Sequence, residues 1–233
     1  MSKLPFAHRF IVFDVDGTLI DSQHTVVHCM TEAFTVQGLP APSAAAIRAT
    51  IGLKLDIALT SLLPDPAAAD AGEQALALVE GYRTAFFTLQ DSPGHDEPLF
   101  PGTLEMLEAL SHPEIFLGIA TGKNRRGLSR VLARHSLESR FHNLKTADDG
   151  PGKPHPHLLE AAMAEVGATP AETVMVGDTT YDIEMARAAG CTAVGVDWGN
   201  HPEERLRASG AHCVIGHFSD LMQELVRLSG ERV

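Results

Sequence analysis

The chain has 233 residues, of which 44% are apolar and 21% are charged, an ordinary balance for a globular protein. With 30 acidic and 18 basic side chains, its formal net charge of −12 repels the phosphates of nucleic acid and of anionic lipid. We therefore expect neither nucleic acid nor a membrane as a partner. A small anionic substrate would require a local positive centre, supplied by a metal ion or a few basic side chains.

Cysteine usage and hydropathy indicate where the protein resides. Cys29, Cys191 and Cys213 lie far apart and form no C-x-x-C pair, which predicts reduced cysteines that pack in the interior. No run approaches the ~20 apolar residues that span a bilayer, and the first residues lack the apolar stretch of a signal peptide. We expect a cytoplasmic protein.

Short apolar runs that stop at polar residues recur along the chain and are typical of buried strands that end in loops. Three such runs are residues 10–13 before Asp14, residues 115–120 before Thr121, and residues 173–176 before Gly177 and Asp178. Further strands are predicted at 192–196 and 212–215, and helices at 102–110, 125–135, 155–166 and 181–189. This alternation predicts an α/β fold, a Rossmann-like parallel sheet covered by helices on both faces.

Residues 22–90 break the alternation, because their apolar positions, such as Val26 and Met30, follow helical spacing and no strand pattern occurs. Turn-rich punctuation suggests hinges near 19–21 and 91–99. We predict an all-helical cap domain inserted after the first strand. The predicted boundaries are 21–91 for the cap, and 1–20 with 92–233 for the α/β catalytic core.

Polar side chains that follow the predicted strands should meet at one edge of the sheet, since ligands of open parallel sheets bind at the carboxyl ends of the strands. The predicted set is Asp14, Asp16, Thr121, Lys153, Asp178 and Asp182. Four carboxylates in one buried pocket repel each other unless a cation is bound. Mg²⁺ prefers carboxylate oxygens and completes its shell with waters and a substrate phosphate, so we predict it as the cofactor.

Each residue type in this set suits phosphoryl transfer. The carboxylate of Asp14 can attack phosphorus to form an acyl phosphate, and Asp16 can protonate the leaving oxygen and later accept a proton from water. Thr121 can donate to a phosphoryl oxygen, while Lys153 can balance the charge of the transition state. Asp178 would hold the metal.

Four segments in order resemble the motifs of the haloacid dehalogenase superfamily. They are Phe-Asp14-Val-Asp16-Gly-Thr18, Ala-Thr121-Gly122, Gly-Lys153-Pro and Val-Gly-Asp178-Thr-Thr-Tyr-Asp182. The helical insert is similar to the cap of the phosphoglycolate phosphatase-like branch. The resemblance implies that Asp14 is both nucleophile and metal ligand, that Asp16 is acid/base with its backbone carbonyl on Mg²⁺, and that Asp178 is a further ligand. It also implies that Thr121 and Lys153 clamp the phosphoryl group and that Asp182 supports the metal site.

Several residues admit a second interpretation. Asp182 could cap its helix, alone or in addition to its role in the site. His24 and His28 have the spacing of a metal pair, but no third ligand is visible, so a structural or substrate-facing role is favoured. A substrate anion could be reached by Lys123, Arg125 and Arg126, which follow Thr121 closely, but a solvated helix start is favoured.

Two residues are candidates for substrate contact. Gly122 departs from the family pattern, which commonly has serine or asparagine at that position, and Lys54 lies in a cap segment where such phosphatases present a substrate-contacting loop.

The sequence thus predicts a phosphoric monoester hydrolase, a Mg²⁺-dependent phosphatase that acts on a small phosphorylated metabolite through an aspartyl-phosphate. Phosphoglycolate is one candidate substrate, and the protein is expected to be a monomer or homodimer. A sugar phosphomutase of the same superfamily is one alternative and would form bisphosphate intermediates. A phospho-aspartate switch or binding module is an alternative of another class, although it needs no insert of ~70 residues, far beyond a normal loop.

Overall fold

A computed structural model describes residues 6–90 and 92–230 of the chain. Its strands form one six-stranded parallel sheet in the order β3-β2-β1-β4-β5-β6. The strands are β1 (Phe10–Phe13), β2 (Phe116–Ala120), β3 (Asn143–Lys145), β4 (Thr173–Gly177), β5 (Thr192–Val196) and β6 (Cys213–Ile215). The chain winds outward in one direction from β1 to β3 and in the other from β4 to β6, so a topological switch point lies between β1 and β4.

Strand β1 lies at the centre of the sheet and is fully buried, which explains why its sequence is apolar at every position. Phe10 and Val12 belong to a hydrophobic cluster on one face, and Ile11 and Phe13 belong to a second cluster on the other face. Alternate side chains of a strand point to opposite faces, so both faces must be covered. The predicted Rossmann-like α/β core is confirmed.

In the part of the chain that the structure describes, six helices of the α/β core follow the strands. They are α5 (Thr103–Ala109), α6 (Arg125–Arg134), α7 (His157–Val166), α8 (Thr180–Ala188), α9 (Glu203–Ala208) and α10 (Leu221–Gly230). The sequence analysis did not predict β3, α9 or α10. Strand β3 has three residues, two of them polar, and therefore lacks the apolar run that marks the other strands.

Among the described residues, the segment between β1 and α5 contains four helices. They are α1 (Gln23–Val36), α2 (Ala44–Arg48), α3 (Leu55–Ser61) and α4 (Ala71–Gln90). Their buried apolar residues, including Met30, Phe34 and Leu78, form a cluster separate from the two sheet clusters. We call this segment the helical insert. None of the described helices is long and apolar enough to cross a membrane.

The two chain passages that join the helical insert to the sheet lie side by side, with an antiparallel bridge between Ile20 and Leu99. These passages coincide with the two predicted hinges. The predicted domain boundaries at 21–91 stay a prediction, and Asp91, residues 1–5 and residues 231–233 lie outside the described residues.

Candidate active site

The switch point of the sheet brings two carboxylates together. Asp14 follows β1 and Asp178 follows β4, the two strands that flank the switch, and both side chains are completely buried. The Asp14 backbone N–H donates to the Val176 carbonyl at 3.0 Å, which fixes the chain where it leaves the sheet. Buried carboxylates are costly without a compensating charge, so this pocket requires a cation.

Lys153 supplies one positive charge to the pocket. Its Nζ lies 2.7 Å from Asp14 Oδ2 and 2.6 Å from Asp182 Oδ1, and all three side chains are shielded from solvent. Burial alone would lower the pKa of Lys153, but the charges of Asp14 and Asp182 outweigh it and raise that pKa above its usual value. The ammonium therefore remains charged and bridges the two carboxylates.

Asp182 occupies the third position of helix α8 and has two roles. Its Oδ2 accepts hydrogen bonds from Thr179 N at 3.0 Å and from Thr179 Oγ1 at 2.7 Å, which completes a capping box at the start of the helix. Its Oδ1 faces Lys153. The two interpretations of Asp182 are thus compatible, because one oxygen caps the helix and the other belongs to the pocket.

Asp178 is held by hydrogen bonds to both of its oxygens. Thr18 Oγ1 donates to Oδ1 at 3.0 Å, and the backbone N–H and side-chain amide of Asn200 each donate to Oδ2 at 2.8 Å. Gly17 adopts a φ of +85°, and a Cβ there would lie 2.2 Å from Asp178 Oδ2, so only glycine fits. The sequence analysis missed Asn200, although it follows β5 at the same edge of the sheet.

Three carboxylates are arranged to hold a cation. Asp14, Asp178 and Asp182 each offer an oxygen within 4.8 Å of the others, and Asp14 Oδ1 is buried without a hydrogen-bond partner. Burial, with the neighbouring carboxylates, raises the pKa of Asp14 to about 8 and that of Asp178 to about 6. A buried carboxylate oxygen without a partner, beside two further carboxylates, suits a hard divalent cation, so these residues fit Mg²⁺.

The carboxylate of Asp16 is not part of that group. Its Oδ1 lies 3.0 Å from Lys123 Nζ and accepts a hydrogen bond from Ser22 Oγ. The Lys123 side chain is only 10% exposed, so the solvated interpretation of this residue is wrong. Burial lowers the pKa of Lys123, but Asp16 and Glu97 outweigh that effect and raise it. Asp16 is thus fixed by Lys123, which follows β2, and by Ser22, at the start of the helical insert.

Unlike Lys123, the neighbouring arginines and the paired histidines have exposed side chains. Arg125 and Arg126 are both exposed, and Arg126 also lines a cavity between the helical insert and the sheet. His24 and His28 are also exposed, on α1, and neither belongs to a described cluster of three potential metal ligands.

Thr121 and Gly122 follow β2. Thr121 is buried, and its Oγ1 accepts a hydrogen bond from Lys123 N at 3.2 Å, which leaves the hydroxyl proton available for donation. A Cβ on Gly122 would lie 2.5 Å from the carbonyl oxygen of Gly52 and 2.6 Å from that of Leu53. Gly122 therefore contacts the backbone of the helical insert directly, which explains why a larger residue is absent.

Lys54 immediately precedes α3 and is half-buried. It lines a large cavity between the helical insert and the sheet, together with Asp16 and Gly122. The structure thus places both predicted substrate-contact positions on the wall of one cavity.

These features define a class of protein: an α/β enzyme with an acidic, cation-binding pocket at the switch point of a parallel sheet. The sequence model of the haloacid dehalogenase-like hydrolase family matches residues 11–196, and the chain belongs to this family. The chain is 35% identical to a protein named "Probable phosphatase IndB" from Dickeya dadantii, with 96% of this chain and 97% of the relative covered.

A phosphoglycolate phosphatase from Yersinia pestis is 30% identical, with 93% of this chain and 92% of the relative covered. A hydrolase from Pseudomonas syringae of known crystal structure is 30% identical, with a TM-score of 0.82, and covers 95% of this chain and 100% of its own. The chain is accordingly a haloacid dehalogenase-like phosphatase, as the motifs predict.

Proposed function

We propose that this phosphatase is Mg²⁺-dependent and transfers the phosphoryl group of a small-metabolite phosphomonoester first to Asp14 and then to water. The observation that carries the proposal is the buried Asp14, which is paired with Lys153 at 2.7 Å yet keeps one oxygen without a hydrogen-bond partner. That oxygen is free to form a bond to phosphorus, while Lys153 compensates the charge of the pair.

In the first step, an Asp14 oxygen forms a bond to phosphorus as the bond from phosphorus to the leaving oxygen breaks. Asp16 donates a proton to that oxygen, and the alcohol departs. In the second step, water attacks the phosphorus of the aspartyl-phosphate, Asp16 accepts its proton, and inorganic phosphate is released with Asp14 restored. Lys123 and Ser22 hold the Asp16 carboxyl during both proton transfers.

Thr121 would donate its hydroxyl proton to a phosphoryl oxygen. Asp14, Asp178 and the backbone carbonyl of Asp16 would hold the Mg²⁺, and Asp182 would support the site through Lys153. The bound cation supplies charge neutralisation for the phosphoryl oxygens.

The substrate is expected to be a small phosphorylated metabolite. The net charge of −12 opposes binding of nucleic acid or a membrane surface, and the nucleophile is completely buried. Phosphoglycolate, which several relatives are named for, is the reference substrate.

The direct test is phosphate release over many turnovers with Mg²⁺, compared with the same assay in EDTA. Turnover should require Mg²⁺, and Asp14→Asn should reduce kcat by at least about a thousandfold while the circular dichroism spectrum and Tm are kept. Release of no more than one phosphate per chain would indicate a phosphorylation switch. Accumulation of a sugar bisphosphate would indicate a phosphomutase. Full activity in chelator would contradict the metal requirement.

A further inference from the structure

The cavity between the helical insert and the sheet has a volume of about 860 Å³. The cavity is present although the helical insert contacts the α/β core directly. The carbonyl oxygen of Ala49, at the end of α2, accepts a hydrogen bond from Tyr181 Oη at 2.9 Å and lies 3.2 Å from His201 Nε2. Gly122 also touches the backbone of the insert. The cavity is therefore present while the helical insert is in contact with the α/β core.

The position of Asp16 indicates which part of the substrate enters this cavity. Asp16 forms part of the wall, and in the proposed reaction its carboxyl group must reach the leaving oxygen. The alcohol portion of the substrate therefore projects into the cavity. Cavities of about 300–1,000 Å³ hold ligands of drug size, and a two-carbon acid would leave most of this one unfilled.

Much of the wall is apolar and aromatic. Met30, Ile51 and Leu53 line it, as do the rings of Phe86 and Phe87 on α4. Phe86 and Phe87 lie edge to face with their centroids 6.1 Å apart. Such a surface stabilises an apolar ligand body in proportion to the apolar area removed from water, and it gives no advantage to a polar two-carbon chain.

Three cations on the wall, Lys54, Arg126 and Arg130, lack a carboxylate partner among the described residues. Arg126 and Arg130 lie one turn apart on α6, with guanidinium carbons 4.4 and 4.8 Å from the centroid of the Phe87 ring. Among the described residues, no carboxylate lies within 4.0 Å of either guanidinium group. Their neighbour Arg125 is paired with Asp149 at 2.8 Å. Like charges one turn apart repel each other, and an anion between them would relieve the repulsion.

Resting on the phosphatase activity proposed above, we propose that the substrate is a phosphomonoester with an apolar body the size of an aromatic ring and a second anionic group that binds Arg126 and Arg130. The phosphoryl group lies beside Asp16, the body contacts the apolar wall, and the second anionic group reaches α6 near Phe87.

The test compares three substrates with primary alcohol leaving groups: 4-carboxybenzyl phosphate, benzyl phosphate and phosphoglycolate. We expect kcat/KM to fall in that order, by at least about fivefold at each step. The double substitution Arg126→Gln and Arg130→Gln should remove the advantage of 4-carboxybenzyl over benzyl phosphate, because kcat/KM for 4-carboxybenzyl phosphate should fall by at least about fivefold more than kcat/KM for benzyl phosphate. Arg125→Gln, on the same helix but already paired, is the matched control and should change neither.

Binding provides a readout that does not depend on turnover. Calorimetry with Asp14→Asn protein and Mg²⁺ should give the same order of affinities, and the double arginine substitution should weaken binding of the carboxylated ligand more than binding of benzyl phosphate. If phosphoglycolate were the best of the three, or if the advantage of the carboxyl group survived in the double variant, the assignment of the cavity would be wrong while the phosphatase activity stood. If none of the three were hydrolysed although the ligands bound in the expected order, the proposed function would be contradicted instead.

Discussion

The acidic pocket around Asp14 and the cavity between the helical insert and the sheet differ in how their charged side chains are paired. In the pocket, Lys153 bridges Asp14 and Asp182 at 2.7 and 2.6 Å, so a buried ammonium group compensates part of the carboxylate charge. In the cavity, the wall is mostly apolar, and the guanidinium groups of Arg126 and Arg130 lack carboxylate partners among the described residues. Under the two proposals, the sheet provides the reaction, and the helical insert selects the substrate together with α6.

Removal of Lys153 should break the pocket while the cavity is spared. Lys153→Met leaves two buried carboxylates without their partner, and loss of one member of a buried ion pair costs about 3–5 kcal/mol. We expect a loss of this size in the free energy of unfolding, measured in urea, together with loss of turnover. Lys54→Met, at the edge of the cavity, is the matched control and should change stability by less than about 0.5 kcal/mol. Equal losses in both variants would contradict the contrast between the two regions.

Proton binding should compete with Mg²⁺ in the pocket. The pKa of Asp14 is raised to about 8 and that of Asp178 to about 6, mainly by burial, so both oxygen donors take up protons as the pH falls through these values. The metal binds the deprotonated forms, and its affinity must therefore fall toward acid pH. Calorimetry should show a Kd for Mg²⁺ at least about tenfold higher at about pH 6 than at about pH 8.5.

Asp14→Asn is the control for this competition, because the amide does not titrate. The dependence of the Mg²⁺ affinity on pH should become shallower in that variant. A Kd that is independent of pH in the unmodified protein would show that these carboxyl groups do not hold the metal.

The contact between Gly122 and the helical insert should affect substrate binding in the cavity more than the geometry of the acidic pocket. In Gly122→Ser, the new Cβ would lie 2.5 Å from the Gly52 carbonyl oxygen, so the insert must shift. We expect KM to rise by about tenfold for substrates that fill the cavity, with a smaller effect on stability. Gly72→Ser is the matched control, since a Cβ there meets nothing within 4 Å. An unchanged KM in Gly122→Ser would mean that the seated insert does not shape the substrate site.

The sequence was sufficient to predict the elements whose signal is local. Strand β1 is a buried apolar run that stops at Asp14, and this pattern, repeated at β2 and β4, predicted both the parallel sheet and the carboxyl edge where the site lies. Helix α10 also had a local signal that was overlooked, because Leu221, Leu225 and Leu228 are buried at helical spacing.

Other features depend on contacts between distant segments and could not be predicted in the same way. In the sequence, Lys123 resembles an exposed residue at a helix start. In the fold, its ammonium group lies 3.0 Å from Asp16. Asn200 binds Asp178 across 22 residues of sequence. Gly122 departs from the family motif because the backbone of residues 52–53, in the helical insert, lies against it and leaves no space for a side chain.

The most direct test of the account is to trap the covalent intermediate. The protein would be quenched in acid during turnover with Mg²⁺ and substrate, reduced with borohydride, and digested for mass spectrometry. An acyl phosphate on Asp14 is reduced to homoserine, so we predict homoserine at position 14, aspartate at position 16, and no conversion in Asp14→Asn protein. Conversion at Asp16 instead, or turnover with no conversion at either position, would contradict the assignment of Asp14 as the nucleophile.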